Sequence, residues 1–351
     1  SMAPRIGTKP LLLGTLLTLP LCAGCASPFS QTTRSAPDAA STAGADGTPG
    51  PDGTGDRWVD AAQTSIRRGD TGRALREFAR AIEINPTLVT AHMGMADLYR
   101  MEGDFVRAEE GYRSAAAIEP RNFDAQYYHG LMLHLLGRLT ESIGAYLRAL
   151  EVRPDDEQAN LNIATAYYQL AEYAQALPFA ERAVRLSPRS GPARFNLGAI
   201  YAGLGRHGDA VVEYQQATEL MPLSGRLLLN LAESYNQLRR YTEMRNTLLQ
   251  LVRTEPSPAA YERLGFASFR LGESDETMFR AAAEAFAKAI EMDGDYFPAL
   301  NGLGIIELNN YVWSGKEDLS ARDRAMGHLR RSLQINRAQP RIEELITRYA
   351  Q

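Results

Sequence analysis

Small residues recur along this chain at a fixed spacing. The first six are 34 positions apart and two more follow at slightly altered intervals: Ala62, Ala96, Gly130, Ala164, Gly198, Ala232, Gly265 and Gly304. A period of this length indicates one supersecondary unit stacked on itself, each copy burying its apolar face against its neighbours. The 351 residues therefore need not form two separate cores.

Three further signals keep the same register. Turn glycines, where a positive φ is easiest, stand at Gly69, Gly103, Gly137, Gly205 and Gly272. Pairs of a large or apolar residue and alanine follow at Phe78/Ala81, Tyr112/Ala115, Tyr146/Ala149, Ala180/Ala183, Tyr214/Ala217 and Phe286/Ala289. Prolines that would stop a helix come next, at Pro86, Pro120, Pro154, Pro188, Pro222 and Pro256. The pattern predicts two helices per period, A and B.

This pattern resembles the tetratricopeptide repeat (TPR). The resemblance implies an all-α fold, a right-handed TPR superhelix of about eight helix-turn-helix repeats over residues 55–339. The repeats are expected at 55–88, 89–122, 123–156, 157–190, 191–224, 225–257, 258–296 and 297–339. A final helix over 340–351, with Ile342, Leu345, Ile346 and Tyr349 on one face, is expected to cap the array.

The last two repeats are longer than the others. About five extra residues lie around 273–279, and about nine lie around 312–320. We expect both inserts to protrude from the array. Trp313 in the second insert would then be an exposed contact for a partner.

The N-terminus has the composition of an export signal. Arg5 and Lys9 precede the apolar run 11–21, and no acidic residue occurs before Cys25. A run of about a dozen residues is too short to span a bilayer, which needs about 20, but it suits the core of a signal peptide. The segment 23–25, Ala-Gly-Cys, resembles a bacterial lipobox, which implies removal of residues 1–24 and acylation of Cys25. An ordinary secretory signal cut near Ala26 is the alternative.

Residues 25–54 combine this cysteine with a segment rich in Ser, Thr, Ala, Gly, Pro and Asp. With Phe29 as the only large apolar side chain after Cys25, the segment cannot bury enough surface to fold, so a flexible linker is expected. Ala26 and Ser27 stand where aspartate often retains a lipoprotein in the inner membrane. The resemblance therefore implies a lipid anchor in the outer membrane, facing the periplasm.

The chain lacks the motifs of catalysis. It contains no phosphate-binding P-loop, no Rossmann glycine fingerprint and no nucleophile elbow. The histidines have no ligand spacing, although two share one predicted helix: His92, His129, His134, His207 and His328. The net charge of −4 and the pI of 5.9 disfavour nucleic acid. We expect a non-catalytic protein without metal, cofactor or small-molecule substrate.

Recognition fits the sequence better than catalysis. In stacked TPRs the A helices line a concave groove, and the expected groove residues are Tyr128, Asn162, Tyr168, Phe195, Asn196, Arg226, Asn230 and Glu233. Toward the C-terminus Arg226, Arg263, Phe266, Phe269 and Arg270 add positive charge beside aromatic rings, which would suit a carboxylate ligand.

Three of these residues form a regular series. Asn162, Asn196 and Asn230 hold the same place in consecutive repeats, which resembles the asparagine ladder of O-linked N-acetylglucosamine transferases. A ladder of solvent-facing amides would bind the backbone of an extended peptide, because each amide both donates and accepts. The alternative is that the asparagines only cap or solvate the groove.

The sequence therefore predicts a TPR scaffold lipoprotein that binds a protein or extended peptide during envelope assembly, in pilus formation, secretion or polysaccharide export. One alternative is a regulator that recruits cell-wall or polysaccharide enzymes through its convex face or its C-terminal inserts. A hydrolase or transferase built on the repeats, with His134 in its site, is a further alternative.

Overall fold

The computed structural model describes residues 54–272 and 275–349. These residues form seventeen α-helices and no β-strand. The predicted all-α fold class is therefore confirmed. The predicted signal peptide, Cys25 and the linker up to residue 53 lie outside the described residues.

The described chain divides at residues 205/206 into two compact units, which we call the N-terminal and C-terminal units. The N-terminal unit contains α1 (Thr54–Arg67), α2 (Thr71–Ile84), α3 (Val89–Glu102), α4 (Phe105–Ile118), α5 (Phe123–Leu135), α6 (Leu139–Val152), α7 (Glu157–Gln169), α8 (Tyr173–Leu186) and α9 (Gly191–Gly203). The C-terminal unit contains α10 (His207–Leu220), α11 (Gly225–Gln237), α12 (Tyr241–Thr254), α13 (Pro258–Leu271), α14 (Glu276–Met292), α15 (Phe297–Trp313), α16 (Leu319–Ile335) and α17 (Pro340–Tyr349).

The odd-numbered helices α1 to α15 are the A helices of the repeat, and the even-numbered helices are the B helices. Within each unit an A helix packs along the B helix that follows it, and each B helix packs on the next helix in the chain. Each helix therefore buries its apolar stripe against sequence neighbours, as the 34-residue period predicts.

Short polar residues begin many of these helices. The Asp104 carboxylate accepts a hydrogen bond from the backbone N–H of Arg107 at 3.0 Å, and Asn122 caps α5 through the N–H of Ala125. Such caps satisfy one of the backbone donors that a helix start leaves without a partner. The B helices up to α12 end two residues before the repeat prolines, at Ile84, Ile118, Val152, Leu186, Leu220 and Thr254.

The turn from A to B usually contains one left-handed residue. Gly69, Gly103, Gly137 and Gly205 adopt φ values of 74° to 80° there, as predicted. Ala171 and Arg239 take the same conformation, with φ of 57° and 56°, where the period has no glycine. The prediction for Gly272 is wrong, because its φ is −61°. Packing instead requires a residue without a side chain at this position, because a Cβ on Gly272 would lie 2.7 Å from the Phe279 ring.

Aromatic side chains of the B helices fill the space between successive A helices. Tyr112, Tyr146 and Phe286 are fully buried. Small residues face these rings: a Cβ on Gly130 would lie 2.8 Å from the Tyr146 ring. This explains the paired signals of the repeat, because a large ring on helix B requires a small partner on helix A.

The described residues of the two inserts are 275–279 and 312–320, and the prediction that Trp313 is exposed there is wrong. Helices α14, α15 and α16 are 17 residues long, whereas the earlier helices have 13 or 14. Residues 276–279, 312–313 and 319–320 of the inserts belong to these helices. Trp313 is half-buried, with its ring 5.0 Å from that of Phe279, which in turn lies 5.5 Å from Phe269.

The last helix covers the end of α16. Ile342 and Leu345 of α17 are buried, and α17 packs on α16. The Asn301 amide donates to Gln339 Oε1 at 2.7 Å, which ties the start of α17 to α15. This arrangement covers the apolar edge that the last pair of an open array would otherwise expose to water.

Candidate recognition surface

Successive A helices touch one another directly. Helix α5 contacts α7, α7 contacts α9 and, in the C-terminal unit, α13 contacts α15. Across residues 54–272 and 275–349, no contact of comparable extent joins successive B helices. The A helices therefore lie on the inner side of each unit, and we call the surface that they form the A-helix wall.

The N-terminal unit places four predicted groove residues in buried positions. Tyr128 is 8% exposed, Phe195 5%, Asn162 9% and Asn196 0%. The Asn162 amide donates to the Tyr127 hydroxyl at 3.2 Å, and the Asn196 amide donates to Thr165 Oγ1 at 3.0 Å. The expectation that these asparagines face solvent is wrong. Their amides join neighbouring A helices to each other.

The position within the helix explains this burial. Tyr128, Asn162 and Asn196 are each the sixth residue of their A helix. At this position the residue faces the ring of the preceding B helix in several repeats, although Asn230, the sixth residue of α11, is only half-buried. A Cβ on Gly302 would lie 2.5 Å from the Phe286 ring, and Tyr128 stacks on Tyr112 with ring centroids 5.3 Å apart. The glycines at this position were the sequence signal for a packing role.

Replacing Asn196 with alanine is expected to lower the free energy of unfolding of the N-terminal unit by about 1–2 kcal/mol, because a buried hydrogen bond is lost. Asn162→Ala is expected to have a similar effect. Urea denaturation followed by circular dichroism measures both. Arg194→Ala, on the same helix as Asn196, is the control for local backbone effects. Unchanged stability in both asparagine variants would contradict the structural role.

Tyr168 remains accessible on the wall. Its side chain is half-buried, with its ring 5.6 Å from that of Tyr173. Leu131 and Leu161 on the neighbouring A helices are also half-buried. The inner wall of α5 and α7 therefore offers apolar and aromatic surface to a ligand.

Helix α3 contributes charged side chains to the wall. Asp97 Oδ1 accepts a hydrogen bond from the Tyr112 hydroxyl at 2.5 Å and lies 3.1 Å from an Arg100 guanidinium nitrogen. The Arg100 guanidinium also lies over the Tyr128 ring, 5.1 Å from its centre. Burial is the main reason why the pKa of Tyr112 is raised, so its hydroxyl stays protonated as the donor.

The C-terminal unit has a polar wall centred on Glu233. Gln237 donates to Glu233 Oε1 at 2.8 Å, and an Arg263 guanidinium nitrogen lies 3.5 Å from Oε2. Asn230 is half-buried and Arg226 is exposed. Glu233 is itself half-buried, so part of this network is accessible from solvent.

The predicted aromatic and basic patch is largely internal. Phe266 is 5% exposed and Phe269 0%, while Arg263 is 8% exposed and paired with Glu233. The Arg270 guanidinium lies over the Tyr241 ring, 5.0 Å from its centre. The prediction that Arg263, Phe266 and Phe269 form an exposed docking site for a carboxylate is therefore wrong, whereas Arg226 is exposed. Packing of α13 against α12, α14 and α15 buries Arg263, Phe266 and Phe269.

The two histidines on α5 have separate surroundings. His129 Nε2 lies 3.0 Å from Glu109 Oε1 of α4, whereas the His134 ring packs 6.3 Å from the Tyr146 ring. Burial lowers the pKa of His134 to about 4, so its ring is neutral at pH 7. Within the described ranges, no group of three or more His, Cys, Asp or Glu side chains has the geometry of a metal site. No helix there is both long and apolar enough to cross a membrane.

A cleft of about 620 Å³ opens on the other side of the C-terminal unit, between α12 and α14 with α13 as its floor. Leu249, Leu264 and Ala285 form its apolar part. Arg245, Glu284 and Lys288 stand at its charged margins.

Helix pairs stacked on sequence neighbours, with one row forming the inner wall, define a helical-repeat protein. Tetratricopeptide repeat models match residues 59–120, 161–220 and 226–257, and a TPR repeat model matches residues 130–170. The chain belongs to the tetratricopeptide-repeat family.

Solved structures of similar fold are numerous. A tetratricopeptide repeat protein from Parabacteroides merdae aligns over 72% of this chain and 98% of its own, with 17% identity and a TM-score of 0.49. PilW, described as a type IV pilus biogenesis factor, aligns over 58% and 95%, with 22% identity and a TM-score of 0.48. YrrB, described as a TPR protein with an unusual peptide-binding site, aligns over 58% and 98%, with 20% identity and a TM-score of 0.48. No curated protein sequence matches the chain significantly.

Proposed function

We propose that this protein is a lipid-anchored adaptor of the bacterial envelope, attached through Cys25 to the outer membrane and facing the periplasm. It holds a protein or peptide partner on its A-helix wall during envelope assembly. The binding role is supported by one observation, namely that the inner wall has accessible side chains. Tyr168 and Leu161 in one unit, and Glu233 and Gln237 in the other, lie half-buried or exposed on that wall. The export signal and Ala-Gly-Cys sequence support the anchor.

Site-specific photocrosslinking in the native host tests the binding role. A benzoylphenylalanine probe at Tyr168 or Gln237 is expected to capture a partner. The same probe at Leu147 or Val212, which are exposed on the B helices α6 and α10, is expected to capture none. Capture from the B-helix positions alone, or from no position, would overturn the proposal.

Replacing Cys25 with serine tests the anchor. Stable attachment requires two or more acyl chains or an additional signal, so loss of the acylated thiol is expected to move the protein from the membrane pellet to the soluble fraction. The parent protein should also incorporate a labelled fatty acid that the variant lacks. A variant that stays in the pellet would contradict the lipid anchor without affecting the crosslinking result.

A second function is supported by the cleft between α12 and α14. A regulator that recruits a cell-wall or polysaccharide enzyme would use this B-helix side, where apolar surface lies between charged margins. A probe at Leu249 on the cleft wall separates the two functions. Capture from Leu249, with none from Tyr168 or Gln237, would favour the regulator.

A further inference from the structure

Three successive A helices of the N-terminal unit are almost free of charged residues. The stretches 127–136, 158–170 and 195–204 contain no Asp, Glu, Lys or Arg in 33 residues, although these types make up 23% of the chain. They cover most of α5, α7 and α9. Because α5 contacts α7 and α7 contacts α9, the three stretches form one continuous wall.

The rest of the protein does not share this property. Helix α3, which precedes these helices in the same unit, carries Asp97 and Arg100 on its corresponding turns. In the C-terminal unit, α11 carries Glu233 and α13 carries Arg263. Elsewhere the uncharged stretches are isolated: 84–96 ends at Asp97 of α3, and 296–306 ends at Glu307 of α15. The helical repeat therefore does not itself require an uncharged wall.

Several polar side chains of this wall form hydrogen bonds within the wall. Asn162 donates to Tyr127, Asn196 donates to Thr165, and the Thr165 hydroxyl donates to the backbone oxygen of Leu161 at 2.8 Å. His134 is 6% exposed and neutral at pH 7 because burial lowers its pKa. Within this wall, these groups contribute no fixed charge to a ligand.

Apolar side chains account for the accessible part of the wall. Leu131 and Leu135 on α5, and Leu161 and Tyr168 on α7, are half-buried and pack on the unit's core from its inner side. Depletion of charge and enrichment of aromatic residues are the compositional marks of the centre of a protein interface. A continuous apolar surface of this kind also indicates an interaction site.

We propose that the wall of α5, α7 and α9 binds an uncharged stretch of polypeptide with apolar and aromatic side chains. This inference rests on the proposed adaptor function and names the chemistry of its ligand. The lack of charge on the wall is the reason for proposing an uncharged ligand. Away from the Asp97–Arg100 pair at the α3 edge, a charged side chain placed on this wall would lose its hydration without meeting a counter-ion. An apolar side chain would gain from burial.

Peptide display tests the proposal. The full chain with Cys25→Ser is immobilised and presented with a library of random short peptides. The selected peptides are expected to be enriched in Leu, Phe, Tyr and Trp and depleted in Asp, Glu, Lys and Arg relative to the input. Their affinity is expected to change by less than about twofold between about 0.05 and about 0.5 M NaCl, because salt screens charges and not apolar contacts.

Matched variants locate the site. Leu161→Arg places a charge on the wall and is expected to weaken the selected peptides by at least about tenfold, since the arginine is desolvated when the peptide binds. Leu147→Arg makes the same change on the exposed side of α6 and is expected to have no effect. Leu161→Ala, which removes apolar surface without adding charge, is expected to weaken binding by a smaller factor. Thermal unfolding of each variant identifies any loss of folding.

The outcomes separate this inference from the adaptor function. Selection of charged, salt-sensitive peptides, or of peptides that bind Leu161→Arg as well as the parent, would overturn the inference. Failure to select any wall-dependent peptide would also count against it. Capture of a partner from Gln237 in the crosslinking experiment would still support the adaptor. Concentration-dependent self-association abolished by Leu161→Arg would identify a second copy as the occupant and would likewise overturn the inference.

Discussion

Replacing Phe286 with alanine is expected to lower the free energy of unfolding of the C-terminal unit by about 3–5 kcal/mol, the usual cost of deleting a buried aromatic ring. Phe286 is fully buried on α14. Its ring lies against two glycines of neighbouring A helices, because a Cβ on Gly265 would lie 2.8 Å from it and one on Gly302 2.5 Å. The ring therefore joins α13, α14 and α15, and its loss leaves a cavity where three helices meet.

A double-mutant cycle tests this geometry. Gly302→Ala in the parent should be destabilising, since the new methyl group meets the Phe286 ring. The same change in a Phe286→Leu background should be better tolerated, because leucine leaves room for it. Chemical denaturation measures all four proteins. Additive effects of the two substitutions would contradict the direct contact between Gly302 and Phe286.

The general fold followed from the sequence because its signals are local and repeated. The ring of Tyr146 and the small residue Gly130 occur in one repeat, and their contact in the structure is the one that a 34-residue helical hairpin requires. Proline after the B helices α2 to α12 and glycine in most A–B turns fix the helix ends by backbone geometry. None of these signals depends on contacts far along the chain.

The side-chain surroundings within the wall were harder to derive. Asparagine is a residue type expected in a groove. The orientation of α9 about its axis instead buries the Asn196 side chain against Thr165. A change of one helical position turns a side chain by about 100°, so a small error in the expected face exchanges groove for core. Gly94 and Gly302 are the sixth residues of other A helices, and their small size indicated that this position packs against a neighbouring ring.

The surroundings of Trp313 in the second insert were also not predicted from the sequence. Extra residues in a repeat are usually assigned to loops, and the segment before Ser314 was therefore expected to expose Trp313. Residues 276–279, 312–313 and 319–320 instead belong to the helices α14, α15 and α16. The signal was present in Phe279 and Trp313, whose large apolar side chains favour burial against each other over exposure on a loop.

Acidification is expected to change the stability of the two units in opposite directions through two buried residues. Burial lowers the pKa of His134 to about 4 and raises the pKa of Glu262 to about 7. At a pH below about 6.5, His134 is protonated more readily in the unfolded chain than in the folded one. Its contribution to stability is therefore lost as the pH falls from about 6.5 to about 4. Glu262 keeps its proton in the folded state, so its contribution is greatest at low pH and is lost as the pH rises from about 4.5 to about 7.

Between pH values of about 7.5 and about 5, each residue should shift the free energy of unfolding of its unit by about 2 kcal/mol, downward for His134 and upward for Glu262. Native-state hydrogen exchange of the amides in α5 and α13 reports on the two units separately. His134→Gln should remove the acid-induced loss in α5, and Glu262→Gln should remove the gain in α13, while His92→Gln serves as the control. Parallel pH profiles for the parent and the Glu262 variant would show that this carboxyl is ionised in the folded state. Ionisable groups distant from the substituted residue contribute equally to parent and variant, so the difference between the two pH profiles isolates the contribution of His134 or Glu262.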